Sequence, residues 1–164
     1  MYSEINESGM VFVADNALYI EKSDLYASLG DCVRSVEFIR VKEDRLLFVE
    51  AKASFANPNN PNGENVSKFQ SEVDEVCEKF IHSLNLLSSV VIGVAGNVFD
   101  CDFVLPNSFS LVFILVIQNH EMKWCKQVQN RIKVSLPKHI IKIWKPVIYV
   151  INREIAIKRE LVVA

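Results

Sequence analysis

The sequence predicts an α/β domain with a mixed central β-sheet flanked by helices. Three stretches carry that expectation. Ser35 to Lys52 reads as strand, tight turn, strand, with Glu43 and Asp44 at the turn. From Val66 through Val73, Val76, Phe80 and Leu84 to Leu87, apolar residues recur at steps of three and four, the mark of a long amphipathic helix. Leu111-Val-Phe-Ile-Leu-Val-Ile117 is an unbroken apolar run, suited to a strand covered on both faces. Strands followed by a helix and a further buried strand make an α/β sheet.

The remaining elements follow from local chemistry. Gly9 to Val13 and Ala17 to Ile20 are short extended segments joined by Ala14-Asp-Asn16. Ser23 can cap a short helix over Asp24 to Leu29, with Gly30 ending it. Ala53 to Gly63 is dominated by Asn and Pro and reads as a loop leaving the hairpin directly. Asn65 is a candidate cap for the long helix. Lys68, Glu72, Asp74, Glu75, Glu78 and Lys79 are expected on its solvated face. A second helix is expected at roughly 121–134, with Trp124, Val128 and Ile132 inward and Pro137 breaking it. Val147 to Ile151 is a last strand, and Asn152 can cap a terminal helix. No repeat or linker divides the chain, so residues 1–164 are expected to form one domain.

Composition excludes several function classes. The longest strongly apolar run is far too short to span a bilayer, and the polar, acidic N-terminus does not resemble a signal peptide; a cytoplasmic protein is the expectation. Cys32, Cys77, Cys101 and Cys125 are too dispersed for a Cys-x-x-Cys motif and read as reduced, mostly buried thiols. His82, His120 and His139 have no zinc spacing. Charge is unevenly spread. Residues 1–120 carry 8 Lys/Arg against 17 Asp/Glu, whereas residues 121–164 carry 10 against 3. That basic last quarter reads either as a solvated helix face or as a surface tracking phosphates, with Lys123, Lys126, Arg131 and Lys133 the candidate nucleic-acid contacts.

The hairpin holds the candidate chemistry. A symmetric turn sets Lys42 opposite Arg45, Ile39 opposite Phe48 and Glu37 opposite Glu50. Alternation places Lys52 on the face of Glu50. Two carboxylates and an ammonium are therefore expected to converge at the open end. Opposed like charges are destabilising unless neutralised, and a divalent cation would neutralise them. A plain cross-strand ion pair, Lys52 with Glu50, is the simpler alternative. Glu121-Met-Lys123 repeats the acid-x-Lys spacing at a helix start, where a structural role suffices.

A strand acid, a hairpin, Glu-x-Lys ending the next strand, then a helix and another strand resembles the PD-(D/E)xK nuclease superfamily. The pattern spans roughly residues 35–117. The resemblance implies a restriction-endonuclease-like fold and a Mg²⁺- or Mn²⁺-dependent nuclease acting on DNA, in restriction, repair or phage defence. It implies Glu37 and Glu50 as metal ligands, the carbonyl of Ala51 as a further ligand, and Lys52 as the catalytic lysine. Glu21 is the nearest candidate for an additional family acid; Ser54 and Gln70 are candidate accessory groups. The strand acid here is glutamate rather than aspartate, and Val36 stands where the family carries proline. Two outcomes follow: catalysis, or a nuclease-like domain that binds nucleic acid or a protein without cleaving. A homodimer or partner protein would supply what so short a chain lacks for cutting two strands.

Overall fold

The computed structural model describes residues 4–96 and 103–164, so Cys101 lies outside the described residues. Its main sheet has five strands in the order β3-β4-β5-β6-β7: Ala17–Leu18, Phe38–Lys42, Arg45–Lys52, Ser110–Ile117 and Val147–Asn152. The first three run antiparallel as a meander, and β6 and β7 continue parallel to β5. The mixed sheet is thus as expected. β2 (Met10–Val13), within the segment expected to be extended, pairs in a separate antiparallel ribbon with β1 (Glu4–Glu7), which forms from the polar N-terminal residues that gave no strand signal.

Each parallel connection needs a crossover, and helices provide both. The long helix α2 (Gly63–Ile92) joins β5 to β6. Helices α3 (Met122–Ser135) and α4 (Lys138–Trp144) join β6 to β7. A short α1 (Asp24–Leu29) precedes β4, and α5 (Arg153–Lys158) ends the fold. Ser23 and Asn152 cap α1 and α5 as expected, accepting from Tyr26 N and Ile155 N. The cap of α2 is a correction. It is Asn62, whose side chain accepts from Glu64 N, while Asn65 Nδ2 donates to the carbonyls of Asn57 and Asn60. Pro137 stops α3, yet its fixed φ also starts α4, an element the pattern did not announce.

The sheet separates two apolar layers. Leu46, Phe48, Phe113 and Leu115 face α2 and α3; Leu47, Val49, Ile114 and Val116 face the N-terminal ribbon and α5. At the centre of the first layer, Phe113 stacks on Phe80 of α2 with centroids 4.5 Å apart and meets Phe48 edge-on at 5.6 Å. Val36 joins this layer rather than the opposite one, because the strand begins only at Phe38; the Val36 amide donates to Ser83 Oγ of α2 at 2.9 Å.

Arg40, on the other face, is buried and paired with Asp15, leaving Nη1 without a hydrogen-bond partner. Asp15→Ala should therefore cost about 1–3 kcal/mol, read as a lower urea midpoint, because the guanidinium loses its counter-charge while staying buried. Double replacement with Arg40→Met should recover part of the loss.

Candidate functional site

The site is assembled by the hairpin and by α2. Strand register is as the turn predicts: Lys42 pairs with Arg45, Ile39 with Phe48 and Phe38 with Val49. The ladder ends at that last pair; Glu37, just ahead of the first strand residue, is brought to Glu50 by a shared cation rather than by strand pairing. The Glu50 side chain is 0 % exposed and that of Glu37 13 %. Both lie at the open end of the hairpin, Glu50 near the C-terminal end of β5 and Glu37 just before β4.

The cation between them is not Lys52. It is Lys79, expected on the solvated face of α2 but only 15 % exposed. Its Nζ lies 2.7 Å from Glu50 Oε1 and 3.8 Å from Glu37 Oε1. Lys52 turns instead to Glu75, donating to Oε1 at 2.7 Å, with Arg34 4.0 Å from the other oxygen. Glu72, also expected in solvent, accepts from the Ala56 amide and pins the loop after β5. The reason for these corrections is geometric. Glu72, Glu75 and Lys79 recur at three and four on the flank of the stripe Phe69, Val73, Val76, Phe80, so seating the stripe also lays that flank over the hairpin end.

Burial sets the electrostatics. It raises the Glu50 carboxyl to about 8; Lys79 opposes the rise, while Glu37 adds to it. It raises Glu37 to about 7, against Lys79 and with help from Glu7 and Glu21. Burial would push the Lys79 ammonium down, but Glu50, Glu37 and Glu75 outweigh it, and the net direction is up. Lys79 therefore stays charged, and the two carboxyls titrate as a coupled unit around it. Glu50 Oε2 is buried with no hydrogen-bond partner. Glu75 is held below the usual carboxylate range by the hydrogen bond from Lys52.

A second group of residues borders this centre. Tyr19 donates to Glu7 Oε1 at 2.6 Å. Burial, that hydrogen bond and the charges of Glu7, Glu37 and Glu21 push the phenol well up. Glu21 is exposed at this border and acts on Glu37 only through its charge. The Ala51 carbonyl accepts from Ser8 Oγ at 3.2 Å, so the ribbon turn already engages this expected ligand. Ser54 is exposed in the following coil. Gln70 does not join the centre: its amide donates to Asp74 at 2.8 Å and approaches Ser135 at 3.5 Å. Its packing direction lies along α2, where Gln70, Arg34, Asp74, Glu75 and Glu78 line an open groove of about 550 Å³.

On α3, Lys123, Lys126, Arg131 and Lys133 are all exposed. Lys123 pairs with Glu121 at 2.8 Å, a local structural role for the second acid-x-Lys. Arg131 lines a groove of about 330 Å³ with Pro58, Phe69, Gln127, Asn130 and Val134, next to the loop that leaves the hairpin. Cys77 and Cys125 are buried as expected, whereas Cys32 is exposed. No helix is long and apolar enough to cross a membrane among the described residues.

Lys79, Glu75, Glu7 and Tyr19 are the members of this cluster that the sequence pattern did not single out. Glu75 and Lys79 had one signal, their four-residue spacing beside the core stripe. Glu7 and Tyr19 had none, because Glu7 belongs to the N-terminal ribbon and Tyr19 follows β3, so only the folded chain brings them together. No family model, curated protein or solved structure matches the chain.

Proposed function

We propose that this protein is a divalent-metal-dependent nuclease of the PD-(D/E)xK type, hydrolysing phosphodiester bonds in DNA. One observation carries the reading: the Glu37 and Glu50 carboxylates converge on a single cationic position at the C-terminal end of β5. The strand order adds support, since an antiparallel meander followed by a helical crossover into a parallel strand is the order a restriction-endonuclease-like core requires.

The donors suit Mg²⁺ or Mn²⁺ in kind. Both are hard carboxylate oxygens, and Glu50 Oε2 is a buried acceptor with no hydrogen-bond partner. Among the described residues, no three His, Cys, Asp or Glu side chains gather as a metal-holding group. Two carboxylates with water and substrate phosphate are nevertheless the set Mg²⁺ commonly accepts. Glu37 and Glu50 would hold the ion, with the Ala51 carbonyl beside them. Bound there, the metal would neutralise phosphate charge and acidify a water. Lys52, partly exposed and carried by the same strand, supplies positive charge for the developing phosphorane. The exposed cations Lys126, Arg131 and Lys133 on α3 offer contacts to the phosphate backbone.

The test is cleavage of supercoiled and linear DNA with Mg²⁺ and with Mn²⁺. Wild type should cut only with metal, and Glu50→Gln or Lys52→Ala should lower the rate by about 100-fold or more. No hydrolysis at any metal concentration would defeat the reading. A second reading, a nuclease-like module that binds nucleic acid without cutting, is favoured by the close Lys79–Glu50 pair. It predicts binding that weakens steeply with salt and no product.

A further inference from the structure

We infer that Lys79 is a resident counter-ion of the metal site, and that a divalent cation enters by displacing its ammonium from Glu50. The inference rests on the metal reading above and adds a competitor to it. Lys79 Nζ holds the position on which Glu37 and Glu50 converge, 2.7 Å from one and 3.8 Å from the other. An ammonium and a divalent ion cannot share that position, because each draws on the same carboxylate oxygens and they repel one another.

The charge balance favours exchange. One ammonium facing two carboxylates leaves a negative charge uncompensated when both are ionised, and a divalent ion compensates both. Glu50 Oε2 makes no hydrogen bond while Lys79 occupies Oε1, so the ammonium satisfies only part of the acceptor capacity there. The displaced side chain also has a destination. Glu75 stands four residues earlier on α2, on the same helix face, and its charge already acts on Lys79. An ammonium arriving at Glu75 competes with Lys52, which sits 2.7 Å from that carboxylate. Metal entry therefore frees Lys52 from its resting ion pair. The two lysines exchange roles: Lys79 holds the carboxylates together without metal, and Lys52 becomes available with it.

Calorimetric titration of the full chain with Mn²⁺ tests the competition. Lys79→Gln retains an amide able to donate to Glu50 but removes the charge; it should bind Mn²⁺ about tenfold more tightly than wild type or better. Equal affinities would overturn the inference and leave the metal reading standing. Absence of Mn²⁺ binding in both chains would overturn the metal reading itself and this inference with it. A measurement on wild type avoids dependence on the variant's folding. Acylation of Lys79, followed by peptide mass spectrometry, should accelerate several-fold on adding Mn²⁺ as the amine leaves Glu50. Unchanged reactivity at a metal concentration that calorimetry finds saturating would also overturn the inference.

Discussion

Replacing Lys79 by methionine should destabilise the metal-free protein by about 3–5 kcal/mol at about pH 9, and by much less near pH 5.5. The Glu50 side chain is fully buried, and Lys79 is the hydrogen-bonded cation beside it. Without that cation, an ionised Glu50 has no close compensation and must either remain charged in a poorly polarisable site or take up a proton. At high pH the proton is costly, so the loss is large. At low pH both Glu50 and Glu37 already hold protons, and methionine fills the same space at little cost. Urea midpoints at several pH values would measure the difference; a penalty independent of pH would contradict this account.

Wild type should show a related slope. The folded Glu50 carboxyl is raised from 4.5 to about 8, and Glu37 from 4.5 to about 7. The native state then binds more protons than the unfolded chain between those limits. Their stabilising contribution is complete below about pH 4.5 and is lost as pH rises through 7 and 8. Lys79, raised rather than lowered, stays charged throughout that window. The urea midpoint should therefore fall from about pH 5 to pH 9, and Glu50→Gln should flatten the decline. A midpoint rising over this range would refute the assignment.

The second large effect is expected at Phe113. Truncation to alanine should cost about 3–5 kcal/mol, with Phe109→Ala, at a 41 % exposed position, costing little. Phe113 is fully buried in β6, with its ring stacked on Phe80 and edge-on to Phe48. Removing it deletes a large apolar surface and opens a void between the sheet and α2 that neighbouring strands cannot readily close. The consequence reaches the site, since Phe80 follows Lys79 on the helix. A slackened turn there should also raise Lys79 acylation in the absence of metal. Thermal or urea unfolding checks the stability, and peptide mass spectrometry the coupling.

Elements whose cause is local were legible in the chain. Period-two alternation around Glu43 and Asp44 set the hairpin register from Lys42–Arg45 to Phe38–Val49, which leaves Glu37 and Glu50 at its open end. The three-and-four recurrence from Phe69 to Leu87 specified α2, and the branched run from Leu111 to Ile117 specified a strand buried in the sheet. Hydrogen-bonding side chains at Ser23 and Asn152 marked two helix starts. Which cation meets those acids depends instead on how the elements pack. Helical periodicity identifies the buried stripe of α2, but the helix must also be placed along and across the sheet before its flank acquires partners. That placement comes from Phe80 stacking on Phe113, and it sets Lys79 on Glu50 while leaving Lys52 to Glu75. The N-terminal ribbon followed the same logic: its short strands gain stability from packing against the far face of the sheet, a long-range contact that no local pattern encodes.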